Sequence, residues 1–163
     1  MQRVVSGSPV QSRPAFTYPA VSPNRVVEEY LSALKGMDFR RAYKHISLGY
    51  AGGVDPEGYE INMKKGLVEN LHWSLNSYEV VGVKVLGDQA YVLTDLGVTY
   101  KLPDSPQAIT KKVRVQYNLS AIDKKWVIVG DSCVEGCEKA PGIEFKEIKP
   151  IPERGAPPSE GVE

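Results

Sequence analysis

The chain has 163 residues, 42% of them hydrophobic and 25% charged, a balance typical of one globular domain that can bury a core. Twenty basic and twenty acidic side chains cancel. The protein therefore has no overall positive charge to attract a phosphate backbone, and we predict no nucleic-acid partner. No apolar run approaches the roughly 18 residues that a membrane-spanning helix needs, so we predict no integral membrane segment.

Both ends of the chain are rich in proline. Residues 1–21 contain three prolines and residues 139–163 contain five. Proline removes backbone donors, and few apolar groups offset the ordering entropy, so we predict a disordered N-terminal tether at 1–21 and a disordered Pro/Glu-rich tail at 139–163. The domain between them is predicted at 22–138. The start is also typical of an exported chain after leader removal, so we expect an extracytoplasmic location, periplasmic or lipid-anchored.

Two helices are predicted at the beginning of this domain. The first follows Ser22 and Pro23, which suit the cap and the first helical position, and it closes at Lys35 and Gly36. Its predicted buried face consists of Val27, Tyr30, Leu31 and Leu34. A second, short helix begins after Asp38 as its cap. Its apolar side chains at helical spacing are Phe39, Ala42, Tyr43 and Ile46. These two helices should form a hairpin.

A turn-rich stretch precedes a third helix and a set of strands. Apolar residues of the third helix step by four along one ridge, namely Tyr59, Met63, Leu67 and Leu71. After Trp73 apolar residues recur at every second position, which predicts four strands at 78–87, 88–102, 110–122 and 126–134. In the first of these strands, Val81, Val83 and Val85 are predicted to share one face. The last strand is apolar on both faces, which predicts a central position. We expect an α+β domain, with three N-terminal helices packed on a curled antiparallel four-stranded sheet.

Element order and three stretches resemble the nuclear transport factor 2-like superfamily. The stretches are "VVEEYLSALKGMDFRRAYKHIS", "SLNSYEVVGVKVLGDQAYVLTD" and "VRVQYNLSAIDKKWVIVG". More narrowly they resemble its small bacterial, lumazine-binding-like members. The resemblance implies a cystatin-like cone whose sheet and long helix enclose a pocket. Members include isomerases, dehydratases, ligand binders and protein-interaction modules, so it does not select a function.

Two aspartates lie within predicted strands and are the acids that proton abstraction would need. Asp95 shares a face with Tyr91 and Leu93, opposite the more apolar set, so we expect it to face solvent. Asp131 follows Val127 and Val129 on one face of the last strand, where it could look into the cone. A strand-end aspartate that bonds backbone N–H groups is the other interpretation, and the sequence leaves both open.

A pocket is predicted from aromatic residues around this acid. Five tyrosines fall where rings could line a cavity, namely Tyr30, Tyr78, Tyr91, Tyr100 and Tyr117, and plain core packing is the alternative for all of them. We predict a pocket formed by Tyr30, Leu34, Tyr117 and Asp131. His72, at the end of the third helix, would lie at its rim. His72 and Asp131 are the two candidate catalytic residues.

Cys133 and Cys137 are the only cysteines in the chain. Their spacing is neither that of a thioredoxin-like pair nor half of a zinc site, so we predict no metal, and no cofactor motif occurs. Gly136 would let the chain turn back far enough for a disulfide between them. Such a bond would place the protein in an oxidising compartment, and free thiols would place it in the cytoplasm.

Two functions remain open at this point. The first is a non-catalytic domain that binds a small apolar ligand or a protein partner. The second is an isomerase- or dehydratase-like enzyme with Asp131 as base and Tyr30, Tyr117 or His72 as helpers. The chain is expected to be a monomer or a homodimer. Polar side chains on the outer sheet face disfavour a large apolar interface there.

Overall fold

Three helices precede a four-stranded antiparallel sheet in residues 18–136, the part of the chain that the computed structural model describes. The helices are α1 (Pro23–Lys35), α2 (Phe39–Tyr43) and α3 (Pro56–Met63), and a wider π-helical turn at Lys64–Glu69 continues α3. The strands are β1 (Ser74–Leu86), β2 (Gln89–Lys101), β3 (Ala108–Ile122) and β4 (Lys125–Glu135), in the spatial order β1-β2-β3-β4. The predicted α+β architecture is confirmed. Residues 1–17 of the predicted tether and the whole predicted tail lie outside the described residues.

Helix α1 covers the inner face of the sheet. Pro23 occupies its first turn, Lys35 its last, and Ser22 stands at the N-cap without a side-chain hydrogen bond. All four side chains predicted for its buried face are buried. The helix contacts β1, β2 and β4, so it spans the sheet from one edge strand to the other. No helix within 18–136 combines the length and the apolar character that crossing a bilayer would require.

The segment after α2 covers the outer edge of β4. The Asp38 carboxylate caps α2 by accepting from the Arg41 backbone N–H at 3.2 Å. The chain then leaves the helix, and at Ile128 the backbone donates to the His45 carbonyl and accepts from the Ser47 N–H, both at 2.9 Å. This contact forms a short parallel bridge. One edge of the sheet is thereby shielded.

The prediction that the last strand is central is wrong. β4 lies at an edge of the sheet, beside β3 only. Its two-sided apolar composition has another cause. Trp126 and Ile128 are buried on the inner face, and the segment after α2 covers the strand edge at Ile128. Val129, on the other face, is 37% exposed. Its apolar side chain is therefore not buried in the way that a central strand would bury it.

A bulge at Val129 decides where Asp131 points. Leu119 of β3 pairs with Ile128 and Asn118 pairs with Gly130, which leaves Val129 without an opposite residue. One extra residue reverses the alternation of faces beyond it. Asp131 therefore faces inward opposite Tyr117. In an unbroken strand it would share the face of Val127, as the sequence pattern predicted.

Two further bulges interrupt β1, the other edge strand. The register with β2 shifts between Leu75 and Ser77 and again between Val80 and Gly82. Val81 is the extra residue of the second bulge, so the prediction that it shares one regular face with Val83 and Val85 is corrected. Val83 and Val85 pair with the buried inner-face residues Val92 and Ala90, yet both remain exposed.

Gly136 ends the described chain in a conformation that requires glycine. Its φ is +83°, and a Cβ there would lie 2.7 Å from the Lys112 carbonyl oxygen. We predict that Gly136→Ala lowers the free energy of unfolding by about 1–3 kcal/mol, because both the left-handed backbone and the close backbone contact disfavour a side chain. Gly49→Ala is the matched control, since a Cβ there would meet nothing within 4 Å. Urea unfolding of the three proteins measures the difference. Equal stabilities would contradict the turn.

Candidate functional site

A small cavity lies between α1 and the inner face of the sheet. Its lining includes all four residues of the predicted pocket, Tyr30, Leu34, Tyr117 and Asp131. Tyr50 also lines it. The cavity encloses about 10 Å³, roughly the space that one water molecule needs. The predicted residues are therefore brought together, but around almost no free volume.

Asp131 and Tyr50 form the central contact of this cavity. The Tyr50 hydroxyl donates a hydrogen bond to Oδ2 of Asp131, and both side chains are buried. Tyr50 lies in the turn after α2, where its backbone N–H donates to Oγ of Ser47 at 3.1 Å. Ser47 is in turn bound to Ile128 of β4. The same strand thus positions the carboxylate through its bulge and the tyrosine through this turn.

Three tyrosine rings fill the space beside the carboxylate. The Tyr30 ring lies edge-on to the Tyr50 ring, with centroids 6.5 Å apart, and to the Tyr117 ring, with centroids 5.9 Å apart. Such edge-to-face arrangements are favourable for aromatic pairs. The rings come from α1, from the turn after α2 and from β3, so they join the helical layer to the sheet.

Burial makes these phenols resistant to ionisation. It raises the pKa of Tyr30, Tyr50 and Tyr117 well above the ordinary value, and the Asp131 carboxylate adds to the rise for all three. Burial also raises the pKa of Tyr59, which packs nearby, to about 12. All four phenols are therefore protonated near neutral pH and can donate hydrogen bonds, as Tyr50 does to Asp131.

Two buried polar atoms have no hydrogen-bond partner among residues 18–136 at this end of the core, Nε1 of Trp73 and the hydroxyl of Tyr100. Trp73 lines the cavity and Tyr100 does not. An unsatisfied buried donor costs free energy, in contrast to the paired hydroxyl of Tyr50. Only some of the buried polar atoms in this part of the core are therefore hydrogen-bonded within the described chain.

The other predicted site residues lie elsewhere. His72 is exposed, has a left-handed φ of 49° at the end of the third helical segment, and does not line the cavity. Asp95 lies on the outer face, where it accepts from Nε and Nη2 of Arg114 at 2.7 and 2.9 Å. Hydrogen bonding from Arg114 lowers the pKa of Asp95. Cys133 is half-buried against the core, and Cys137 lies outside the described residues, so the disulfide stays a prediction.

Tyr50 is the residue of this site that the sequence pattern missed. Of the five tyrosines for which the sequence left both lining and core packing open, Tyr78, Tyr91 and Tyr100 do not line the cavity, and Tyr100 is buried in the core. Tyr50 lies in a turn, where no periodicity indicates burial. The available signal was Ser47 three positions earlier, a spacing that favours a side-chain-to-backbone bond closing a turn.

Within 18–136, no three His, Cys, Asp or Glu side chains gather as a set of metal ligands. The acids discussed above are occupied by other groups, Asp131 by the Tyr50 hydroxyl and Asp95 by Arg114. The chemistry available inside the cone is therefore that of a carboxylate, neutral phenols and an indole N–H.

Comparison with solved structures establishes the fold as nuclear transport factor 2-like (NTF2-like). An NTF2-like protein of unknown function in nutrient uptake from Rhodospirillum rubrum matches with a TM-score of 0.51 and 13% identity, over 71% of this chain and 99% of that chain. A ketosteroid isomerase-like protein from Erwinia carotovora atroseptica matches with a TM-score of 0.50 and 12% identity, over 69% and 94%. No protein-family profile and no curated protein matches the sequence. The predicted cone is confirmed, and the lumazine-binding-like branch stays a prediction.

The hydroxyl of Tyr50 should stabilise the fold and that of Tyr100 should not. We predict that Tyr50→Phe lowers the free energy of unfolding by about 1–3 kcal/mol, because the buried Asp131 carboxylate loses a donor. Tyr100→Phe is the control, since it removes a buried hydroxyl without a partner in the described chain, and we expect a change within about 0.5 kcal/mol or a gain. Chemical unfolding followed by circular dichroism measures both. The opposite order of stabilities would refute this assignment.

Proposed function

We propose that this domain is a non-catalytic binding module that contacts a protein partner through its surface and keeps the cone as a closed core. The observation that carries the proposal is the cavity volume of about 10 Å³. Pockets for small organic ligands enclose about 300–1,000 Å³, and the space of that size in the described residues, about 570 Å³ beside Lys84 and Tyr91, is an open groove on the sheet surface and not part of the cone. A surface that recognises a protein needs no such space.

The contacts around Asp131 support a closed core. A catalytic base has to reach the proton that it removes. Asp131 instead bonds the Tyr50 hydroxyl, and the rings of Tyr30 and Tyr117 occupy the adjoining space. Admitting a substrate would break a buried hydrogen bond and displace at least one ring, which costs free energy.

An isomerase- or dehydratase-like enzyme is the second proposal. One observation favours it, namely a buried carboxylate in direct contact with a tyrosine hydroxyl, a pairing that acid–base sites use. His72, the other predicted helper, is exposed and outside the cavity lining. This enzyme would therefore depend on Asp131 and the tyrosines alone.

Proton exchange separates the two proposals. Full-length protein is incubated in D₂O with cyclohexanone, and loss of the protons next to the carbonyl is followed by NMR. We expect the protons of cyclohexanone to exchange no faster with the wild type than with Asp131→Asn. We also expect no shift of the Trp73 indole N–H signal, because the ketone does not fit a space of about 10 Å³.

Asp95→Asn is the matched control, since it removes a carboxylate from the outer face of the same sheet. Exchange that is faster in the wild type and in Asp95→Asn than in Asp131→Asn would establish the enzyme and refute the closed core. Saturable shifts of the Trp73 signal without exchange would indicate a small-ligand site.

We also propose that the domain works outside the cytoplasm, with Cys133 and Cys137 joined. The glycine-specific turn at Gly136, between the two cysteines, supports this pairing. Intact mass measurement of chain isolated from its source should show no alkylation before reduction and two alkyl groups after it. Two alkyl groups without reduction would contradict both the disulfide and the compartment.

A further inference from the structure

The two edges of the sheet differ in how they are covered. β4 is bridged at Ile128 by the segment after α2, whereas β1 pairs only with β2 within residues 18–136. The far part of β1 exposes four apolar side chains to between 38% and 52%, namely Val81, Val83, Val85 and Leu86. An uncovered edge strand with apolar side chains is a surface suited to strand pairing.

The bulge at Val81 places two opposite charges on the same face of this strand. Before the bulge, Glu79 pairs with Asp95 of β2, and after it Lys84 pairs with Tyr91. Both partners lie on the outer face. Glu79 and Lys84 are five positions apart and would lie on opposite faces of a regular strand. The extra residue brings them to one face.

We propose that the protein forms a two-fold dimer in which β1 pairs antiparallel with β1 of a second copy, around an axis between Val81 and Gly82. In this register Glu79 faces Lys84 of the second copy, and Lys84 faces its Glu79. On the inner face Val80 meets Val83, and Tyr78 meets Val85. The pairing goes beyond the proposed function and does not depend on the closed cone.

Other registers lack this complementarity. Centring the pairing on Lys84 would place it directly opposite Lys84 of the second copy, and like charges in that position are destabilising. Centring it on Val83 would set Glu79 against Gly87 and Lys84 against Gly82, without any charged pair. Only the register about the bulge joins charges of opposite sign while matching apolar residues with apolar residues.

The charges within one copy give independent support. Glu79 stands directly opposite Asp95, a like charge, and the two Asp95 oxygens are already bonded by Arg114. Neither Glu79 nor Lys84 forms an ion pair within the described chain, and both are exposed. Lys84 of a second copy would provide the cation that Glu79 lacks.

A charge swap tests the register in the full-length protein. Sedimentation equilibrium should show a concentration-dependent dimer. Glu79→Lys and Lys84→Glu should each raise the dimer dissociation constant about tenfold or more, because each creates two symmetric like-charge contacts. The double variant Glu79→Lys/Lys84→Glu, which has the net charge of the wild type, should return the constant to within about threefold of its original value.

Lys112→Glu is the matched control, since it makes the same charge change as Lys84→Glu at an exposed site on the outer face of β3. It should leave the dissociation constant within about twofold. Circular dichroism melts check that each variant is folded. A chain that stays monomeric up to about 0.5 mM would overturn the proposal, since a weaker pair would be negligible. A dimer that responds to Lys112→Glu and not to the β1 variants would overturn it in favour of outer-face pairing.

Discussion

The hydrogen bond from Tyr50 to Asp131 is the contact on which the interior of this domain depends. It links the turn after α2 to β4, and two local features make it available. The bulge at Val129 turns the carboxylate inward, and Ser47 binds both the Tyr50 backbone and β4. Loss of the bulge would turn Asp131 away from the cone. Loss of the turn would leave the buried Asp131 carboxyl group beside aromatic rings without this donor, an arrangement that proteins avoid.

This contact also accompanies the filling of the interior of the NTF2-like cone in this chain. The fold can enclose a pocket, but here Tyr30, Tyr50 and Tyr117 use that space for packing between helices and sheet. Interiors packed in this way resist opening, because each displaced ring forfeits many contacts. In the function that we propose, recognition takes place on the surface. The two sheet edges offer a contrast there, one bridged by backbone and the other open and apolar.

Much of the fold could be predicted from periodicity. The buried face of α1, the ridge from Tyr59 to Leu67 and the dry face of β3 all follow from regular spacing, because burial and alternation obey the same period. The site was predicted in part. Tyr30, Leu34 and Tyr117 lie on regular elements and line the cavity.

What escaped prediction depends on breaks in the alternation and on tertiary contacts. Asp131 was placed in the pocket, but on the same face as Val127, because no local signal marks the bulge at Val129 that separates their faces. Tyr50 was missed because a turn has no period and its burial results from Ser47 contacting a distant strand. β4 was predicted to be central and not at the edge for a similar reason, because a bridge from a segment outside the sheet covers its edge.

A high-resolution crystal structure of protein isolated from its source and never denatured would show whether the cone is filled by its own side chains. We expect continuous density for the rings of Tyr30, Tyr50 and Tyr117 around Asp131, with space for at most one water. Density for an organic molecule inside the cone, with the Tyr50–Asp131 bond broken, would contradict this expectation.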